Sequence, residues 1–306
     1  MILRQAAFAK PGTFLKGGLH CHTTLSDGTG SPEATVRHHA NMGYDFLAIT
    51  DHRRYNFQNF APDTGLLILP GMEADRYLDG CGMPVAHIVA LGPETGNGYT
   101  DGQQVLHEKG GTAADCQDML DEIAANNNLA VWAHPAWSGN SVEELKALHG
   151  FNLIEVWNSP CELQWGIYDQ CHHWDALLHE GWKLYGVAAD DGHALQDNGF
   201  GWVRVKAEKN VPSILNALKN GEFYASCGPE IYDFFVEDGW ACINCSPVDR
   251  VILRNYSAPH RQLKGSGVTG GQIKIRDCCT DYIRMEVVDA QGRRAWTNPI
   301  FLGETA

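Results

Sequence analysis

The sequence predicts an α/β protein: a parallel sheet covered by helices and long enough to close as a barrel, followed by a small all-β module. Three observations lead there. Short apolar runs recur, each ending at a turn or a polar residue and followed by a stretch of helical periodicity. This alternation stops at about Gly228, after which the chain alternates with a period of two. Histidines, aspartates and glutamates collect at the ends of the apolar runs, which in a parallel barrel all open onto one face.

The apolar runs are Leu15 to His22, Phe46 to Thr50, Leu66 to Leu69, Val85 to Leu91, Leu129 to Ala133, Leu153 to Trp157, Leu184 to Ala189 and Trp202 to Val205. Between them, Ser31 to Met42, Ala113 to Asn126, Ser141 to His149 and Tyr168 to Glu180 read as helices. The first has Ser31 as N-cap, Pro32 at the first helical position and Glu33 in the first turn. Seven or eight such repeats are enough to close a barrel. From Ile231 to Leu302 short alternating segments are punctuated by Asp238-Gly239 and Gln291-Gly292, as hairpins are. The expected division is therefore residues 1–227 for the α/β part and 228–306 for a sandwich-like β-module, with a glycine-rich loop from Gly92 to Gly111 inside the first.

A chain of 306 residues can hold one large domain and one smaller one. Its 23 Lys and Arg against 37 Asp and Glu give a formal charge of −14, which argues against a surface that tracks a long nucleic acid. No run approaches the ~20 apolar residues of a membrane span, and the first residues lack a signal-like apolar segment. A cytoplasmic protein with reduced thiols is expected. Cys242 and Cys245 have the spacing of a zinc pair, with Cys278 and Cys279 downstream, but the strand pattern around them favours buried thiols.

His20 and His22 stand two apart at the end of the first run, so a strand period puts both imidazoles on one face. Asp27 follows in a turn. Asp51 and His52 close the second run, Glu73 follows the third, His87 lies in the fourth, His134 ends the fifth, and Asp191 and His193 end the seventh. A lone strand histidine is usually a hydrogen-bonded core residue. Six histidines and three carboxylates gathered at strand ends would need separate explanations, whereas one metal cluster accounts for all of them. The remaining histidines, among them His38, His39, His107, His172, His173 and His260, fall in helices or loops and are expected at the surface.

Taken in order, "GLHCHTTLSDG", "FLAITDH", "GME", "HIVALG", "AHP" and "ADDGH" resemble the motif series of the polymerase-and-histidinol-phosphatase (PHP) family, and the tail resembles that of a bacterial branch of it. The resemblance implies a distorted (β/α)7 barrel and three metals. It places His20, His22, Glu73 and Asp191 on the first, Glu73 with His87 and His134 on the second, and Asp27, His52 and His193 on the third. The last motif departs from the family's, because Asp190 stands before Asp191 where a small residue is usual. The two-residue step to His193 favours Asp191 as ligand, leaving Asp190 as a supporting carboxylate or a proton donor. Asp51 reads as a carboxylate that orients an imidazole, and Cys21 as core.

Imidazole with carboxylate and no thiolate suits zinc, manganese or iron(II). A bridged cluster of this kind activates water and clamps the oxygens of an in-line displacement, which is phosphoester chemistry. Arg53, Arg54 and Arg76 are the candidate phosphate forks, and Tyr55, Phe57, Trp137 and Trp202 the candidate stacking rings. The expected activity is hydrolysis of a small nucleotide or sugar phosphate. Attack on a carbamate, ester or amide is the alternative, and a metal-binding module without turnover the second.

Overall fold

The computed structural model describes residues 4–9, 12–78, 85–107, 111–167, 171–256, 261–277, 279 and 281–302; His260 and Cys278, weighed above, lie outside them. Ten strands and six helices make up the first part: β1 (Gln5–Ala6), β2 (Phe14–Gly18), α1 (Pro32–Asn41), β3 (Phe46–Leu47), β4 (Leu67–Ile68), β5 (Gly71–Tyr77), β6 (Val85–Leu91), α2 (Ala113–Ala125), β7 (Leu129–Trp132), α3 (Val142–Lys146), β8 (Leu153–Asn158), α4 (Ser159–Leu163), α5 (Cys171–His179), β9 (Tyr185–Ala189), β10 (Trp202–Lys206) and α6 (Val211–Lys219). Seven more strands follow: β11 (Phe223–Ser226), β12 (Ile231–Glu237), β13 (Trp240–Arg254), β14 (Arg261–Lys274), β15 (Tyr282–Val288), β16 (Arg294–Thr297) and β17 (Ile300–Phe301).

Helix α1 starts as the sequence dictates, Ser31 Oγ accepting from the Ala34 amide at 3.2 Å. Several elements went unread in the sequence, and two of them matter most here. One is α6, where Asn210 caps the Ser213 amide at 2.9 Å and Val211, Ile214, Ala217 and Leu218 form the buried face. The other is β5, whose opening "GME" reads as the end of the preceding run and not as a strand of its own.

The strands lie in two sheets, and not all of them run parallel as the sequence pattern leads one to expect. One sheet has five strands in the order β5-β6-β7-β8-β9. Its last three strands are parallel, but β6 runs antiparallel to both β5 and β7. The connection from β5 to β6 is too short for the dozen or more residues that a parallel crossover needs. The other sheet has twelve strands: β2, β3 and β4 pair in parallel, β10 and β11 continue antiparallel, and the ladder runs without a break into β16, β15, β13, β12 and β1. The two ladders do not close into one; isolated bridges, Cys21–Gly192 and His52–Glu73, link them at the strand ends.

The sheets face each other across one apolar cluster that takes Leu15, Phe46 and Val203 from the larger and Val89, Val131 and Val187 from the smaller. Within the larger sheet the fit is tight at Gly17, where a Cβ would stand 1.9 Å from the ring of Phe46, its partner on the neighbouring strand. A second cluster packs α2, α3 and α5 on the smaller sheet through residues that include Met119, Leu145 and Trp174. The C-terminal strands bury their own cluster, including Phe234, Ile243, Val251 and Met285, to which Phe8 from the N-terminal segment adds a ring.

Candidate metal centre

The strand ends, with the loop that carries Asp27, deliver the nine residues to one place. Glu73, on β5, is 1% exposed and central. Its Oε1 lies 2.9 Å from His87 Nδ1, 3.4 Å from His20 Nε2 and 3.5 Å from His134 Nε2. Its Oε2 lies 3.1 Å from His52 Nδ1 and 3.3 Å from His22 Nε2. One carboxylate thus faces five imidazoles. Asp191 stands opposite, with Oδ1 3.1 Å from His22 Nε2 and 3.3 Å from His20 Nε2, and Oδ2 3.8 Å from His134 Nε2. At the mouth, Asp27 reaches His22 Nδ1 and His193 Nε2 at 3.5 Å and His52 Nε2 at 3.6 Å.

Three groups within this set have donor atoms close enough to share an ion: His22, Asp27, His52 and His193; His20, His22 and Glu73; and Glu73, His87 and His134. Two of them meet at Glu73 and two at His22, whose ring nitrogens face different carboxylates. Buried His52 Nδ1, His87 Nδ1 and Glu73 Oε1 have no hydrogen-bond partner although they converge. Burying polar atoms in this way is costly unless something satisfies them, and a cation among them does so. Borderline nitrogen and hard oxygen donors, without sulfur, fit zinc, manganese or iron(II).

Electrostatics favours positive charge here. Burial opposes ionisation of Glu73, but the imidazoles of His87, His20 and His52 overcome it and hold its carboxyl well below the usual range. Burial likewise disfavours a charged His22, yet hydrogen bonds to Asp191 and Glu73 push it up to about 9. Divalent ions meet the same demand with more charge.

Supporting contacts fix the ring orientations. His20 Nδ1 is 2.7 Å from Glu155 Oε1, and Glu155 Oε2 accepts from the His134 amide and from Asn158 Nδ2, each at 2.9 Å. With Nδ1 as donor to Glu155, the lone pair of His20 sits on Nε2, facing the cluster. Asn158 also donates to Asp191 Oδ2 at 3.1 Å. His134 Nδ1 lies 3.1 Å from Ser138 Oγ, and His193 Nδ1 lies 2.9 Å from the Asp191 carbonyl oxygen. The backbone is strained at this place: Arg53, His134 and Asp191 have φ of 56°, 26° and 46°. Such values are uncommon for non-glycine residues and collect at functional sites.

Other expectations are corrected by the geometry. Asp51 orients no imidazole; it accepts from the Thr23 amide and hydroxyl, Ser26 Oγ and Asn56 Nδ2, which anchors the loop carrying Asp27. Asp190 is turned away from the cluster and holds the amides of Gly199, Phe200 and Gly201 at 2.7 to 2.9 Å, with Ser159 Oγ and Tyr44 Oη as further donors. Arg54 points toward Gly102, and Arg76 pairs with Asp115 at 3.5 Å. Tyr55 is core, and Trp202 lies under the Lys16 ammonium. His39 and His173, expected at the surface, are buried and bonded to the Thr35 and Asn140 carbonyl oxygens. Cys21, Cys245 and Cys279 are buried as free thiols.

Above the cluster lies a cavity of about 420 Å³. Arg53 lines it and is the one arginine or lysine to do so among the described residues. Its Nε lies 2.9 Å from Asp75 Oδ1, and Asp75 also faces His52 Nδ1 at 3.3 Å. Trp137, 44% exposed, packs against His87 and His134, and Trp165, 66% exposed, forms another wall. The sequence reading missed Asp75, Glu155, Asn158 and Trp165. Glu155 carried a signal, an acid inside the apolar run "LIEVWN" where a buried charge needs a partner.

No protein-family model matches the sequence, and no curated protein does. Solved structures do. A two-domain protein from Bacteroides vulgatus, described as containing a predicted PHP-like metal-dependent phosphoesterase, superposes with a TM-score of 0.50 at 18% identity, covering 94% of this chain and 96% of that one. A candidate metal-dependent phosphoesterase from Bifidobacterium adolescentis gives 0.42 at 15% identity over 58% of this chain and 87% of its own. An amidohydrolase from Chromobacterium violaceum gives 0.43 at 17% over 58% and 87%. The resemblance read in the motifs thus recurs in three dimensions with the Bacteroides vulgatus protein, whose fold this chain shares.

Proposed function

We propose that the protein is a PHP-type metal-dependent phosphoesterase that hydrolyses a small-molecule phosphoester, a nucleotide or sugar phosphate. The observation that carries this reading is the single buried Glu73 carboxylate facing five imidazoles, with Asp191 and Asp27 completing the set. Three divalent ions are proposed, held by His20, His22, Glu73 and Asp191, by Glu73, His87 and His134, and by Asp27, His52 and His193. His22 is placed to serve the third group as well. Bound divalent metals supply Lewis acidity and lower the pKa of water enough for attack at neutral pH.

The chain's own residues orient and select. Glu155 sets the His20 tautomer, Asp75 aims the Arg53 guanidinium, and Arg53 is left to pair with substrate oxygens at the cavity mouth. Trp137 and Trp165 offer apolar walls to the leaving group. We read the two sheets as halves of a distorted (β/α)7 barrel, which the bridges at Cys21 and His52 support, and the chain as residues 1–227 and 228–306, which the apolar cluster that the later strands bury mostly among themselves supports. A truncation after residue 227 that stays folded and metal-loaded would favour that division; failure to fold would count against it.

Metal analysis followed by a phosphoester library tests the function. More than two equivalents of transition metal per chain and turnover of at least one phosphoester are expected. Hydrolysis of a neutral aryl carbamate, with no phosphoester cleaved under metal-replete conditions, would replace this reading by its carbamate, ester or amide alternative.

A further inference from the structure

A second cavity, of about 620 Å³, opens between the β8–α4–α5 segment and one face of β13, β15 and β16. The sheet register explains its chemistry. Arg254 on β13 is the direct cross-strand partner of Arg284 on β15, and Glu286, two residues on, is opposite Trp296 on β16. A period of two puts Arg284 and Glu286 on one face, while Ile283, Met285 and Val287 enter the apolar cluster on the other. Like charges placed directly opposite each other on neighbouring strands are destabilising. Two carboxylates offset part of this: Arg284 bonds Asp175 through Nε and Nη2 at 2.8 and 2.6 Å, and Glu286 takes both Arg254, at 2.9 Å, and Arg294. With Glu162, which also lines the cavity, three arginines face three carboxylates, so the lining is balanced in a chain whose formal charge is −14.

The arrangement also leaves donors unused. Arg284 Nη1 and Trp296 Nε1 are buried, and neither has a hydrogen-bond partner. Both residues line this cavity, and Arg284 is 1% exposed. Buried donors without acceptors cost free energy that a bound acceptor returns. An apolar side completes the site: the rings of Trp157 and Trp296 stand 6.1 Å apart at 39°, beside Leu163.

We propose that this cavity binds a small organic anion, a carboxylate or a phosphate with an apolar body, whose oxygens take the free Arg284 and Trp296 N–H groups while its body packs on Trp157 and Leu163. The site is distinct from the metal centre but shares a wall with it. Val156, Trp157 and Leu163 face this cavity, whereas Pro160, Cys161 and Gln164 face the other.

The test is isothermal titration of the metal-loaded protein with benzoate, phenylphosphonate and neutral benzyl alcohol. At least one of the two anions should bind at one site per chain, and the alcohol should not; which anion binds tells carboxylate from phosphate recognition. Arg254→Gln and Arg294→Gln, both on partly exposed side chains, should each weaken binding about tenfold or more. Leu163→Trp should fill the cavity and abolish it, and Arg53→Ala should leave it unchanged. Arg284→Met should also abolish binding, but it strands Asp175, so the rim variants carry the decision if it does not fold. Binding that Arg53→Ala removes and Arg294→Gln does not would assign the ligand to the metal cavity and overturn the proposal. Absence of binding by both anions would overturn it as well.

Discussion

Replacing Glu155 by Gln changes one atom and should disable the centre through a tautomer. Glu155 is 1% exposed and uses both oxygens: Oε1 faces His20 Nδ1 at 2.7 Å, while Oε2 accepts from the His134 amide and Asn158. A glutamine has one acceptor oxygen. Two donors converge at the Oε2 position, so the amide oxygen goes there and the NH2 turns to His20 Nδ1. An NH2 group can only donate, so Nδ1 must become the acceptor and the ring proton moves to Nε2. That proton points at Glu73 and Asp191, where the His20 lone pair is needed. Loss of such a supporting carboxylate typically costs 10–100-fold in metal affinity or activity. The fold should survive, since Gln keeps shape and two of the three contacts. Chelator competition read by elemental analysis, alongside circular dichroism, checks this. A folded Glu155→Gln protein that holds its full metal complement against the same chelator as the wild type would refute the tautomer argument.

Glu73→Ala should lose metal from two groups and Asp27→Ala from one, so activity and metal content should fall further in the first; equal loss, or full retention in both, contradicts the bridging role. Arg53→Ala should raise KM for a phosphomonoester about ten- to a hundredfold, as loss of a charge-assisted contact of ~1.5–3 kcal/mol implies, with metal content unchanged. Arg54→Ala and Arg76→Ala should leave KM alone, because neither lines the cavity. Cys242→Ser and Cys245→Ala should leave the metal count unaltered, since among the described residues neither belongs to a group able to hold an ion. Burial lowers His39 to about 4, overcoming its bond to the Thr35 carbonyl. Between that value and the unfolded ~6.5 the unfolded state binds more protons, so stability is lost as pH falls through this window, by on the order of 3 kcal/mol. Denaturant titrations should show a flatter acid limb for His39→Gln than for the wild type.

Eight of the nine clustered residues were legible because each lies in or just after an apolar run, and a strand end is a position that local pattern marks; Asp27 was legible from its turn motif. What the pattern does not mark is direction. The stretch from Gly71 to Tyr77 reads as the tail of one run, yet it is the strand that brings Glu73 beside His52 and reverses the neighbouring ladder. Glu155 and Asp75 were missed because each acts through a partner distant in sequence or on another strand. Asp190 and Asp51 were misjudged for the opposite reason. Adjacency to a ligand suggested a role at the cluster, but both lie beyond the ends of their strands, and both carboxylates serve loops instead.

The left-handed backbone at Arg53, His134 and Asp191 has a consequence for how the protein can change over time. Glycine would adopt these angles without the ~1–3 kcal/mol of strain that a residue held in a sparsely populated region carries. At all three positions, then, the mutation that relaxes the main chain is one that removes a side chain from the centre. Stability and activity pull against each other at single residues. While turnover is selected, histidine, aspartate and arginine should persist there against that pull. In a descendant that no longer needs the reaction, these are the positions where glycine or asparagine should appear early, so their identity in any related sequence is a compact indicator of whether its centre still works.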